Sequence, residues 1–397
     1  MLDRYFYTYH NPAGNHLVRG SGTFPNVVTV DVPLRGVPVW AVGYAMETAV
    51  WHIVLDNGDL QVVEVGLDGD ARTLAYETGW FKGGQPPVVG VSMVEGAYVL
   101  RSDESVSPLS HPLPVNDFEV LYISRDGDLV LGREEGPVVS LPIKAPPYAR
   151  LVMNSRGQVA LFANATERAS RGERMAARAL LIVEARDGQL QILTRTDLPG
   201  EDIYRGVSPF WADIDGDGIE DLVSTVSRKP LGERMRVYMW DGAGIRQEVD
   251  SHPIGEGEVR RQPFSAGPFG FSGQIEIAVM RMNSAGGVIE FFRFNGDYFR
   301  RKAGLQGFSA NIINARNLDQ TAAGDFNGNG RLEVLARDAS RRGVLAVERS
   351  AMRAVHTWGL DAGEEITSNF APVELLDGGM ALAAGTADRR LRVWLPR

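Results

Sequence analysis

Two short stretches concentrate the residue types that do chemistry. The first is Asp213-Ile-Asp215-Gly-Asp217-Gly-Ile219-Glu-Asp221, with carboxylates at positions 1, 3, 5 and 9. Such a run can wrap around a cation. Gly216 and Gly218 permit the tight turns, and Ile219 brings a main-chain carbonyl at position 7. The donors are all oxygen, with a formal charge near −4 from Asp213, Asp215, Asp217 and Asp221. That shell suits Ca²⁺, which accepts roughly 6–8 oxygens at variable geometry, better than Mg²⁺. Without a cation the carboxylates repel, which raises some of their pKa values and loosens the loop.

The second stretch repeats the pattern as Asp325-Phe-Asn327-Gly-Asn329-Gly-Arg331-Leu-Glu333. Two carboxylates have become amides, and Arg331 supplies its carbonyl while adding a positive side chain. The expectation is the same ion, held less tightly. A third copy, SAGPFGFSGQIEIAV (265–279), has Pro268, Gly270 and Ser272 where ligands would stand. It keeps the place in the repeat without the chemistry. An EF-hand begins similarly but needs a bidentate Glu at position 12 and flanking helices. Position 12 is Ser224 in one loop and Ala336 in the other, and both flanks read as strands.

The two loops resemble the D-x-D/N-G-D/N-G-x-x-D/E calcium loops of FG-GAP (VCBS-type) repeats, which form β-propeller blades in integrin α-subunits, in bacterial surface proteins and in several carbohydrate-binding or carbohydrate-degrading proteins. The match is specific at 205–245 and 317–350 and weak at 260–296. The resemblance implies metal ligands at Asp213, Asp215, Asp217, Ile219 and Asp221, and at Asp325, Asn327, Asn329, Arg331 and Glu333. It also implies an extracytoplasmic setting, where free Ca²⁺ fills sites of modest affinity. Against that setting, MLDRYFYTYHN lacks the basic start and apolar core of a signal peptide.

Signatures of other chemistry are missing. The six histidines form no HxxxH or HExxH pattern, and there is no GxSxG elbow or P-loop. With no cysteine, thiolate metal sites, disulfides and a cysteine nucleophile are excluded. His52 and His356 read as structural residues rather than catalysts. Most of the seven tryptophans sit in alternating apolar runs and read as core. Trp80, in TGWFKGGQ, has the most polar surroundings. Arg168, Arg171, Arg174 and Arg178 read as a solvated charged loop.

These sites must be positioned by strands. VPVWAVGY (37–44), VWHIVL (50–55), LQVVEV (60–65), EVLYIS (119–124) and VIEFFRF (288–294) are β-branched and aromatic runs of period two. Turn signals such as Asp56-Asn57-Gly58-Asp59, Asp126-Gly127-Asp128 and Asn295-Gly296-Asp297 close hairpins between them. The one helical candidate is 165–178, weakened by Gly172; the alternative there is a charged loop. Asp221, Glu276 and Glu333 recur at intervals of 55 and 57 residues. An all-strand repeat of that length reads as a four-stranded propeller blade.

The expected fold is therefore all-β: a single β-propeller over 1–397 with its clearest repeats at 205–255, 256–312, 313–361 and 362–397. Dividing the length by the repeat gives seven blades, with eight as the alternative. The final repeat has room for three strands, and the aromatic stretch from Tyr5 to Tyr9 is the expected fourth, closing the ring with N- and C-terminal strands. A net charge of −9 argues against a nucleic-acid partner. No run approaches the roughly 18 apolar residues of a membrane helix. The function expected is a non-catalytic binding or scaffold module for a protein or glycan partner. The alternative is a polysaccharide lyase or hydrolase with its site on the central funnel.

Overall fold

The computed structural model describes residues 4–81, 85–92, 96–100, 104–133, 138–167, 176–255, 260–283, 286–309 and 317–397. Among them there is no α-helix, and the architecture is all-β. The strands follow one another as antiparallel meanders. In the 38–77 unit, Pro38–Ala45, Ala49–Leu55, Leu60–Val65 and Ala71–Glu77 pair in chain order. Units of the same kind span 113–141, 152–197, 203–250, 260–308 and 321–361. The 152–197 and 203–250 meanders are joined into one eight-stranded sheet by the Ala177–Tyr204 pair. Two further units borrow from the N-terminal region. Tyr5–Phe6 pairs with Val89–Ser92 and Gly96–Val99 completes that sheet; Val27–Pro33 joins Ile366–Glu374, Met380–Thr386 and Arg390–Pro396. With the eight-stranded sheet counted as two meanders, the described strands form eight units.

Burial explains the strand sequences. Ala49–Leu55 is buried along its whole length, whereas the fourth strand of its unit, Ala71–Glu77, is mostly exposed. Inner strands have an apolar neighbour on both faces and so read as continuous apolar runs; outer strands carry the charges. The neighbour is the next unit. Trp40, Val54 and Val89 join the 38–77 unit to the following sheet. Val88, Leu121, Leu131 and Leu161 continue the series. Trp211 packs with Phe162 and Trp240, Phe210 with Ile277, Phe291 with Val334, and Trp358 with Phe370 and Trp394. The last unit then meets the first, through Trp51, Val373, Leu391 and Val393. Close approach is enforced there by Gly43, where a Cβ would lie 2.5 Å from Val373 and 2.6 Å from the Trp51 ring nitrogen.

The fourth strand of the last unit differs from the expectation. Val27–Pro33, not the Tyr5–Tyr9 stretch, pairs with Arg390–Pro396, in a register that sets Val30 opposite Val393. VVTVDVP alternates as an outer strand must, while Tyr7 and Tyr9 are buried and point their bulk inward. The residues before this strand take another course. Met153 donates its N–H to Pro12 (2.7 Å), Trp211 to Ala13 (2.8 Å), His16 to Phe264 (3.1 Å) and Ala323 to His16 (2.8 Å). Leu17–Ser21 then runs parallel to Thr321–Asp325. The N-terminal segment thus touches the first strands of successive units before it reaches the outer edge of the last one.

The 165–178 segment is strand at both described ends, with Thr166 opposite Ala176 and Ala165 opposite Ala177. Arg168, Arg171, Arg174 and Gly172 lie outside the described residues. Arg178 is anchored by donating to the carbonyls of Leu198 (3.0 Å) and Gly200 (2.6 Å).

Candidate functional site

The 213–221 loop connects the first and second strands of its unit. Gly216 and Gly218 both have φ of 84°, and the chain folds back so that oxygens of Asp213, Asp215 and Asp221 lie within 4.8 Å of one another. Asp213 accepts the N–H groups of Gly216 (2.7 Å) and Gly218 (3.0 Å); Asp217 accepts that of Ile219 (2.8 Å). Asp221 is fully buried and accepts from Ile214 (3.1 Å) and Trp240 (2.9 Å). Burial pushes its carboxyl up to about 7 despite those bonds. Positive charge reaches the loop from Arg246, whose Nη2 bonds Asp215 and stands 3.2 Å from Asp217.

The 325–333 loop has the same course. Asp325 accepts from Asn329 (3.1 Å) and Gly330 (3.0 Å), and Asn329 accepts from Arg331 (2.8 Å). Asn329 and Arg331 also hold Glu348, at 2.9 and 2.7 Å. Glu333 is fully buried, with one oxygen taken by Asn327, Thr357 and Trp358. Its other oxygen, Oε2, has no partner among the described residues. Burial pushes this carboxyl up to about 7.

The three repeat acids share one register. Asp221 pairs with Ala212, Glu276 with Gly267 and Glu333 with Gly324, each opposite the residue nine positions earlier. Their partners differ. Glu276 is neutralised by Arg349 (2.8 Å) and Arg293 (2.6 Å). Asp221 and Glu333 receive only neutral donors. An all-oxygen donor set with an orphaned buried carboxylate oxygen at Glu333 fits a hard divalent cation.

A polar cluster that the sequence did not announce lies in the interior. Asp319 accepts from Thr8 (2.5 Å) and pairs with Arg150 (2.8 Å) and His16 (3.4 Å). Arg150 and Asp319 are both almost fully buried. Arg150 holds the Asp319 carboxyl well below the usual carboxylate range against the cost of burial. Tyr9 and His111 share a hydrogen bond nearby (2.9 Å). Burial pushes His111 down to about 4 and His10 to about 3. These residues come from distant parts of the chain, so no local motif marks them.

Of the aromatic candidates, Trp40, Trp51, Trp211, Trp240, Trp358 and Trp394 are buried. Trp80 is half-buried against the Trp40 cluster. His52 is buried against the Tyr44 ring, with burial pushing it down to about 4, and His356 is exposed.

No protein-family model matches this sequence, and no curated protein does. Among solved structures, a chain of one titled "Crystal Structure of Mitotic Checkpoint Complex" superposes with a TM-score of 0.45 at 11% identity, covering 92% of this chain and 93% of that one.

Proposed function

We propose that the chain is an eight-bladed β-propeller that binds Ca²⁺ in the 213–221 and 325–333 loops and serves as a non-catalytic binding or scaffold module. The eight units, the apolar cluster joining the last to the first, and the pairing of Val27–Pro33 with Arg390–Pro396 support the closed ring. Asp213, Asp215, Asp217 and Asp221, with the Ile219 carbonyl, are the ligands of one ion. Asp325, Asn327, Asn329 and Glu333, with the Arg331 carbonyl, are those of the other. Each ion ties a hairpin to its blade and stabilises the fold by mass action.

The observation that carries the non-catalytic reading is the interior. The ionisable residues that converge there, Asp319, Arg150 and His16, are buried and engaged with one another and with Thr8. A polysaccharide-acting site needs acid and base groups open to substrate. Recognition then falls to loops on a rigid frame. The partner is a protein, with a glycan as the second candidate, and an extracytoplasmic setting is the one in which the Ca²⁺ sites fill. The test pairs a turnover assay on a polysaccharide panel with a protein and glycan binding screen. Binding without turnover is expected; lyase or hydrolase activity abolished by Asp319→Asn overturns the reading.

A further inference from the structure

The stretch that leads from Leu17–Ser21 into Val27–Pro33 lies over the 325–333 loop. Gly22 donates its N–H to the carbonyl of Asp325 (2.8 Å), and Phe24 donates to that of Phe326 (3.0 Å). The approach is close: a Cβ on Gly328 would lie 2.6 Å from the Gly22 carbonyl oxygen. Ser21 donates its hydroxyl to Oδ2 of Asp325 (3.1 Å), the oxygen that also accepts from Gly330. At the far end of the loop, Trp358 gives its ring N–H to Glu333 (2.6 Å). The Trp358 ring is in turn stacked on that of Phe24, with centroids 5.3 Å apart. The first acid of the loop thus touches the 21–24 segment directly, and the last touches it through one ring. That last acid, Glu333, is also the one with a buried carboxylate oxygen left unpartnered among the described residues.

The 213–221 loop is held differently. Asp213 accepts from Gly216 and Gly218 of its own loop, and the cation that reaches in, Arg246, belongs to the same unit. The two loops share a pattern but differ in their relation to the N-terminal segment, so the first is an internal control for the second. A carboxylate that ligates a metal is oriented by hydrogen bonds from its neighbours, and losing such a partner weakens binding by roughly 10–100-fold. Ser21 stands in that relation to Asp325. Coupling of this kind is reciprocal: the factor that the docked segment adds to the affinity of the ion is the factor by which the ion favours the docked segment. The segment continues into the strand that pairs with Arg390–Pro396.

We infer that Ser21 is a positioning residue of the 325–333 cation site, and that filling this site latches the N-terminal segment that carries Val27–Pro33 to the last unit. The inference rests on the Ca²⁺ reading of that loop.

The test uses the full chain carrying Asp215→Ala, which leaves the second loop to bind Ca²⁺ alone. Calorimetry reads the affinity, and amide hydrogen exchange by mass spectrometry reads the segment. Adding Ser21→Ala should weaken Ca²⁺ binding about tenfold, the lower end for an exposed partner. Adding Ser155→Ala instead, which removes a hydroxyl bond to Glu220 at the first loop, should leave it unchanged. Saturating Ca²⁺ should slow exchange over residues 17–33 about tenfold more than over 119–133 in the 113–141 unit, and Ser21→Ala should erase most of that difference. Binding heat that Asp325→Ala abolishes but Ser21→Ala leaves untouched overturns the latch and leaves the cation reading standing. Exchange over 17–33 that slows no more than over 119–133 does the same. No binding heat at all with Asp215→Ala overturns the cation reading at this loop, and the latch with it.

Discussion

Arg150 donates to Asp319 across 2.8 Å with both side chains almost fully out of water, although 169 positions separate them in sequence. The pair joins the segment leading into the 152–197 unit to the segment leading into the 321–361 unit, and Thr8 binds the N-terminal segment to the same carboxylate. Removing one member of a buried pair strands the other charge. Arg150→Ala should therefore destabilise the protein by about 3–5 kcal/mol, and Asp319→Ala by a similar amount. Urea unfolding checks this; a loss within the scatter of ordinary surface substitutions would mean that the pair is not the interior tie.

Acid should loosen the same interior. His10, His52 and His111 are buried neutral, with folded-state values near 3, 4 and 4 against an unfolded value of 6.5. The unfolded chain binds protons first, so stability holds above pH 6.5 and falls as the pH drops toward 4. Each histidine contributes at most about 1.4 kcal/mol per pH unit in that window. Unfolding free energies at pH 7.5, 6.5 and 5.5 should show a plateau and then a decline, less steep in His52→Gln. A flat profile to pH 5 contradicts this burial.

The ring closure has a covalent test, helped by a chain without cysteine. Val30 and Val393 face each other across the terminal strands. Val30→Cys with Val393→Cys should form a disulfide on oxidation. Closing so long a loop should raise stability by about 3–5 kcal/mol. Peptide mapping that finds two free thiols in the folded, oxidised protein rules out the register.

Arg246 places a positive charge on Asp215 and Asp217. It competes with any cation there. Arg246→Gln should tighten Ca²⁺ binding at the first loop by about three- to tenfold, since the ion no longer displaces a guanidinium in a partly exposed site. Asp217→Asn should be milder than Asp217→Ala, because the amide keeps an oxygen. Calorimetric titration distinguishes these outcomes; weaker binding in Arg246→Gln would show that the arginine organises the loop instead.

What could be read from the sequence was what is local in it. Asp126-Gly127 and Asn295-Gly296 mark hairpins because the conformation they permit is needed at that spot: Gly127 and Gly296 have φ of 85° and 98°. The candidate ligands of each loop lie within nine residues, and in the first loop the chain brings oxygens of Asp213, Asp215 and Asp221 together. The fourth strand of the last unit was misassigned because both YFYTY and VVTVDVP suit a strand. What separates them is that the Tyr7 and Tyr9 rings are buried against His111, far along the chain. The interior pair and the Ser155–Glu220 link, 65 positions apart, were illegible for the same reason. They are products of how the units meet.

The most direct measurement is the melting temperature of the wild type with saturating Ca²⁺ and with chelator, beside Asp215→Ala under both conditions. At a hundredfold excess over the dissociation constant one site contributes about 2.7 kcal/mol, a rise of about 3 °C in a chain of this length. The wild type should show that rise from each loop, and Asp215→Ala should lose the contribution of the 213–221 loop and keep only that of the 325–333 loop. Identical wild-type melting in Ca²⁺ and chelator would contradict the Ca²⁺ reading.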